Sequence, residues 1–312
     1  MSRRIPLTVI HYSSRHPRVA AGGVERFART LELIFERVEY LTPACQKERR
    51  DALSRQVPVI CDNQLVRDWP DGYPVIGFQH GVGAVKFQAT RSLAHWRLAR
   101  AQKRAARRTQ TLWVACAEWV ASAFDRLYGN RARHVIYYSV DYDRFDARLD
   151  NVDSRLILHD ARTRHKGKAL IPRLVSAFNG WRFEPLACRP EEVPDRMRKA
   201  RAFIHLSRYE GNSLVCNEEM AMNLPCLFTR VGLMNDPAAP TDVTLVDADI
   251  AFGSHGRLIE TVDAFLQSER PRDPRAWVLA HAAPSRSIHG WRRVMADFQE
   301  MSGWSLGLEA PA

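Results

Sequence analysis

The sequence predicts an α/β fold of two domains, each built on a mostly parallel sheet. Short apolar runs of strand length alternate with stretches of good helix formers along the chain, a pattern that makes successive strands parallel and uses the helices as crossovers. At 312 residues the chain is too long for one ordinary core and fits two domains of about 150 residues each. An apolar fraction of 46% with 26% charged residues is the balance of a globular protein. No apolar run approaches the roughly 20 residues that span a bilayer.

In the first half the strand-like runs are Leu7–Tyr12, Val57–Cys61, Pro74–Phe78, Leu112–Cys116 and His134–Tyr138, with helices expected over Val24–Arg37 and Lys86–Arg108. The second half resumes with strands expected at Arg155–His159, Phe183–Ala187, Ala202–Leu206, Cys226–Thr229 and Val243–Val246, and a helix over Lys168–Phe178. A polar stretch from Ala147 to Ser154 marks the boundary, giving domains over residues 1–148 and 149–286. The remaining segment, 287–312, carries Trp291, Val294, Met295 and Phe298 at helical spacing between Ser287 and Met301. There is no internal repeat.

The basic N-terminus leads into an apolar stretch too short for a signal peptide, so it reads as a first strand and the mature chain is expected to start here. Six cysteines, Cys45, Cys61, Cys116, Cys188, Cys216 and Cys226, form no C-x-x-C pair, and several lie in apolar runs. They read as reduced residues of a cytoplasmic protein. A formal net charge of +11 implies attraction to nucleotides, anionic lipid or nucleic acid. The most basic stretch, Arg97–Arg108, sets Arg97, Arg100, Lys103, Arg104, Arg107 and Arg108 at spacings that put most of them on one helix face. That face is either simply solvated or a docking surface for an anionic acceptor, a membrane or a nucleic-acid backbone. Peripheral attachment to the inner membrane is one expectation that follows.

The most informative segment runs from Tyr209 to Pro225, where seven residues separate Glu210 from Glu218. It follows the run Ala202–Leu206 and leads into helix formers, so Glu210 and Gly211 are expected in a strand-to-helix loop. Such loops line the crevice at the carboxyl ends of the strands, and the amides of the next helix, here Gly211, Asn212, Ser213, Leu214 and Val215, face an anion. Glu218, about two turns in, reaches the same ligand. A second strand-end loop after His159 carries Arg162, Arg164, Lys166 and Gly167. In the first half Gly22-Gly23-Val24-Glu25-Arg26 opens a helix after the first strand, and His80 ends the run from Val75, placed to donate a hydrogen bond into a crevice.

The pattern Ser207-x-x-Glu210-Gly211 through Glu218-x-Met220-Ala221 to Pro225 resembles the donor-site motif of retaining GT-B glycosyltransferases, above all family 4. Lys166-Gly167, Gly22-Gly23-Val24-Glu25-Arg26 and Val140-Asp141-x-x-x-Phe145 also resemble that family and stand in its order. The resemblance implies two Rossmann-like domains facing across a cleft. The first would be the acceptor side, the second would bind a nucleotide sugar, and the final helix would cross back onto the first. It implies retaining transfer from a nucleoside diphosphate sugar to a glycan, lipid-linked or other cell-envelope acceptor. By the same resemblance Arg162 and Lys166 stabilise the leaving diphosphate, Glu210 and His80 orient the sugar, and Glu218 holds the ribose. Gly22, Gly23 and the amides from Gly211 to Val215 contact the donor. Arg162 stands one residue closer to the lysine than usual, so Arg164 competes for its role.

The sequence departs from that family in several places. Tyr138 and Ser139 replace an Asn-Gly pair, and Gly232 alone remains of a later Gly-Gly. Asn223 stands where Gly usually precedes the proline, which Asn tolerates in a left-handed backbone. Between Lys168 and Ala202 there is room for one strand and two short helices, one βα unit short, which leaves the nucleobase a pocket near Arg189 and Pro190.

No cofactor and no metal are expected. Asp141-Tyr142-Asp143 belongs to the boundary motif, Asp247-Ala248-Asp249 reads as a turn, and the Arg162/Lys166 loop supplies positive charge. Gly81-Val82-Gly83 lacks the third glycine of a dinucleotide site, where Lys86 stands. Two other readings stay open: a phage-type transferase whose acceptor is modified DNA, and a non-catalytic nucleotide-sugar or polyanion binding protein.

Overall fold

The computed structural model describes residues 4–19, 22–147, 152–268 and 272–308. The domain boundary expected at 148/149 lies outside the described residues. In chain order the elements are β1 (Ile5–Tyr12), α1 (Gly23–Thr30), β2 (Phe35–Leu41), α2 (Gln46–Leu53), β3 (Val59–Asp62), β4 (Val75–Gln79), α3 (Gly83–Thr90), α4 (Leu93–Ala105), β5 (Thr111–Ala115), α5 (Glu118–Tyr128) and β6 (His134–Val135). They continue with β7 (Asp153–His159), α6 (Ile171–Ala177), β8 (Arg182–Pro185), α7 (Val193–Arg198), β9 (Ala200–His205), α8 (Leu214–Ala221), β10 (Cys226–Thr229) and β11 (Thr244–Val246). The chain ends in α9 (Ala248–Gly253), α10 (His255–Gln267), α11 (Pro274–His281) and α12 (Pro284–Ser302). They divide into two compact units: the residues up to Ser139 with those from Ala282 onward, and Val140–His281.

The first unit holds six parallel strands in the order β2-β1-β3-β4-β5-β6. Every residue of β3, β4 and β5 is buried, which is why these strands read as unbroken apolar runs. Helix α12 belongs to this unit and turns Ile288, Trp291, Val294, Met295 and Phe298 inward. Trp291 lies edge-on to Phe35 at 5.5 Å and stacks on Phe78 at 5.9 Å.

Two expected helices differ from the structure. The helix over Val24–Arg37 stops at Thr30, and Phe35–Leu41 is instead the edge strand β2. Its ends, Phe35 and Leu41, are buried while Glu36 and Arg37 face water, so the charges that resemble a helix surface sit on an edge strand paired to β1. The helix over Lys86–Arg108 is two helices, broken where Arg91 turns left-handed at φ +54. Thr90 there hydrogen-bonds Lys86 O at 2.7 Å and the His95 ring at 2.6 Å, competing with helical bonds.

The second unit holds five parallel strands in the order β11-β10-β9-β7-β8. Ile157, Ala202, Ile204, Leu206 and Leu227 join Leu174, Phe178, Leu258, Val262 and Phe265 of α6 and α10 in one core. In each sheet the first strand has neighbours on both sides, β1 between β2 and β3, and β7 between β8 and β9. The connection therefore reverses direction between β1 and β3 and between β7 and β9, the positions at which open parallel sheets in general receive ligands. Among the described residues no helix is long and apolar enough to cross a membrane.

The basic stretch divides in two. Arg97, Arg100, Lys103, Arg104 and Arg107 are exposed, but Arg108 is buried. Its guanidinium donates to Gln110 O at 2.6 Å, Thr111 Oγ1 at 3.0 Å, and Pro70 O and Tyr73 O at 2.5 Å each. Arg108→Ala leaves those acceptors unpaired and should destabilise by about 2–3 kcal/mol in urea unfolding, while Arg107→Ala should stay within about 0.5 kcal/mol.

Candidate functional site

At the switch point of the second sheet the register pairs His159 with Ile204, so Asp160 and His205 follow side by side at the ends of β7 and β9. Ile204 and Leu206 turn into the core, and the alternation of the strand sends His205 to the opposite face with Phe203. His205 Nε2 lies 3.0 Å from Glu210 Oε1. Lys166 reaches from the loop after β7: Nζ is 2.7 Å from Asp160 Oδ2 and 3.4 Å from Glu210 Oε1. Arg162 Nε donates to Asp160 Oδ1 at 2.5 Å.

Burial pushes the Glu210 carboxyl up, but the Lys166 charge and hydrogen bonds from His205 and Ser207 outweigh it and hold the group at about 2. Asp160 is likewise held below the usual carboxylate range, against burial, by Lys166 and His205. Burial alone would lower Lys166; Glu210 and Asp160 raise it instead. All three therefore stay charged at neutral pH, and Glu210 is an acceptor of hydrogen bonds rather than a proton shuttle.

Backbone constraints set this geometry. Gly167 has φ +73, and a Cβ there would stand 2.7 Å from Leu206 O. Gly232, at φ +60, would place one 2.7 Å from Glu210 O and 2.8 Å from Gly211 O. Only glycine lets these three loops meet. Thr229 Oγ1 adds a clamp, accepting from Ser207 N at 2.8 Å and donating to Ser207 O at 2.7 Å. Glu210 leads through Gly211 and Asn212 to Ser213, the N-cap of α8, whose first-turn amides point out of the helix end. A narrow recess beside Glu210 is walled by His205, Ser213, Cys216, Phe228 and Thr229.

Of the residues expected to form a site, Arg162, Lys166, Glu210 and the segment from Gly211 to Val215 come together here. Arg164 is exposed, two residues before Lys166 in the same short turn. Glu218 lies on α8, every residue of which is buried. Asn223 adopts the left-handed φ of +59 that replacing glycine requires. Arg189 and Pro190 are tied locally: Arg189 N donates to Glu192 Oε2 at 3.0 Å, and Arg144 bonds Pro190 O. Asp160 and His205 were not singled out by sequence, since each is one polar residue at the end of a strand-like run.

Gly22, Gly23 and His80 lie in the first unit. Gly22 caps α1, and the Glu25 carboxylate folds back over it. His80 Nε2 is 2.7 Å from Asp62 Oδ1 and Nδ1 is 2.6 Å from the Tyr138 hydroxyl. His11 Nε2 shares the same Asp62 oxygen at 2.9 Å. Register puts His11, Asp62 and His80 on one face of β1, β3 and β4, since His11 pairs Ile60 and Asp62 pairs Phe78. Burial opposes ionisation of Asp62, but the two histidines hold it at about 2. Among the described residues no group of three His, Cys, Asp or Glu is arranged to hold a metal ion.

Solved structures share this architecture. HepE of Anabaena, in complex with UDP-glucose, matches with a TM-score of 0.71 at 14% identity, over 93% of this chain and 100% of that one. Sucrose-phosphate synthase from Thermosynechococcus elongatus matches with a TM-score of 0.71 at 16% identity, over 94% and 99%. AviGT4, a glycosyltransferase involved in avilamycin A biosynthesis, matches with a TM-score of 0.59 at 15% identity, over 96% and 99%. No family model and no curated protein matches the sequence. With its parallel sheets of six and five strands, the chain has the GT-B fold.

The depressed carboxylates fix an acid limit. Asp62 and Glu210 have folded values of about 2, below an unfolded value of about 4, so their stabilisation is complete above the unfolded value and lost as pH falls through the folded one. These carboxylates should make the thermal midpoint fall between about pH 4 and 2. Asp62→Asn should flatten that fall.

Proposed function

We propose that this chain is a glycosyltransferase that moves a sugar from a nucleoside diphosphate donor to an acceptor hydroxyl, with retention at the anomeric carbon. The observation that carries this reading is the meeting of Lys166, Arg162 and Glu210 at the switch point, beside the N-terminus of α8. Arg162 is 58% exposed and Lys166 21%, so both can turn from Asp160 to an arriving diphosphate. Their charge offsets the negative charge that grows on the leaving group. Glu210, ionised throughout, accepts hydrogen bonds from sugar hydroxyls. HepE, which shares the fold, binds UDP-glucose, and that favours a uridine nucleotide here.

In the proposed reaction the bond from the anomeric carbon to the phosphate oxygen breaks as the acceptor oxygen bonds the same carbon from the same face. The acceptor proton passes to the departing phosphate. No residue of the second unit is asked to act as base, in keeping with the low value of Glu210. Arg162 and Lys166 stand in for a metal ion, so EDTA should leave turnover unchanged. Binding of the diphosphate is assigned to the second unit, and the roles that the resemblance implies for Gly22, Gly23 and His80 stay part of the proposal.

A thermal-shift screen over UDP, GDP, ADP and their sugars tests donor binding, since a ligand at about 100 times its Kd stabilises by about 2.7 kcal/mol. Lys166→Ala should lower kcat/KM by about a hundredfold. Leaving Asp160 and Glu210 uncompensated should also cost about 1–3 kcal/mol of stability, discounted for the solvent that reaches Lys166. Unchanged kcat/KM would remove Lys166 from the mechanism, and an inverted product by NMR would refute retention. A binding protein without turnover would give the thermal shift but no product.

A further inference from the structure

We propose that the outward face of α4 docks on an anionic membrane surface. The inner face fastens the helix to its unit. Gln102 donates to Gly81 O at 2.8 Å and Gln79 Oε1 at 3.0 Å and accepts from Gly83 N at 2.6 Å, while Ala105 is buried. The outer face is a single stripe at steps of three and four residues. It begins with Leu93 and Trp96 and continues with Arg97, Arg100, Lys103 and Arg104, with Arg107 in the turn just past the helix end, all exposed.

Two features separate this stripe from an ordinary solvated face. Leu93 is 72% and Trp96 41% exposed, so two large apolar side chains one turn apart face water at the same end of the helix. The Arg100 guanidinium lies 4.8 Å from the centre of the Trp96 ring, pairing a cation with an aromatic ring as side chains at a membrane interface do. The charge is also of one sign. From Gly72 to Ala117 the sequence has no Asp or Glu, yet it holds Lys86, Arg91, Arg108 and the five basic residues of the stripe. Among the described residues none of those five is in an ion pair.

This chemistry fits lipid better than nucleic acid. A phosphate backbone uses the cations but has no use for an exposed Leu93, and base stacking calls for several rings rather than one. A bilayer uses both parts: head-group phosphates meet the guanidinium groups while Leu93 and Trp96 enter the interface. The helix offers a footprint about 20 Å long. The attachment is peripheral, and it would bring the proposed transfer to lipid-borne acceptors.

Cosedimentation of the full chain with vesicles tests the surface without measuring activity, so its outcome stands apart from that of the transferase reading. The chain should pellet with phosphatidylcholine vesicles containing about 30% phosphatidylglycerol but not with phosphatidylcholine alone, and added salt should release it. Leu93→Ser with Trp96→Ser leaves net charge unchanged and should weaken binding about tenfold. Arg97→Glu with Arg104→Glu should abolish it. Urea midpoints equal to the parent's would show that the variants are folded. Failure to bind anionic vesicles would overturn the proposal. So would full binding by the Leu93/Trp96 variant, or preferential capture by duplex DNA that ignores that variant.

Discussion

Lys166 holds two carboxylates that could not otherwise share one corner of the second unit. Moving one ion out of water costs several kcal/mol, and two like charges this close repel, so Asp160 and Glu210 without the ammonium would each take up protons more readily. With Lys166 between them both are held ionised. A cation already balanced by two anions is poised rather than spent. In the proposed transfer a diphosphate arriving at Lys166 and Arg162 would replace one set of oxygen partners with another, starting from the exposed Arg162.

That cluster depends on backbone that comes close only where side chains are missing. Gly167 tucks the loop after β7 against Leu206, and Gly232 lets the loop after β10 touch Glu210 and Gly211. Three loops from neighbouring strands are thus stacked, with Thr229 and Ser207 tying the last two. Helix α8 inherits its position from this stack. It is buried on every side, and α11 packs against it, with Arg275 bonding Ala221 O and Phe145 O. A substitution at either glycine would therefore act on the charge cluster through the backbone, without removing any of its charges.

Much of this was legible in the sequence because turn chemistry and buried parallel strands leave plain marks. The runs of β3, β4, β5, β9 and β10 are apolar on both faces, and Lys166-Gly167 and Glu210-Gly211 follow strand ends. Hidden were residues whose meaning is set by register. His205 and Asp160 are single polar residues at the ends of strand-like runs, and His11 and Asp62 read the same way until β1 and β3 are paired. Strand β2 was hidden by edge charges. Arg108 was counted with a basic face because spacing gives the direction of a helix face but not the carbonyls waiting beyond its end.

The two sheets repeat one device at their switch points with opposite outcomes. Each brings a histidine and an aspartate to the ends of the central strands, His11 with Asp62 and His205 with Asp160. In the first unit the set is closed: Asp62 is shared by two histidines, His80 spends its second nitrogen on Tyr138, and Glu25 covers the Gly22 turn. An anion would meet no exposed cation in that set. In the second unit Asp160 is flanked by Lys166 and the largely exposed Arg162, whose charges reach solvent. The exposure of its cations, more than the topology the two sheets share, is what distinguishes the second switch point from the first.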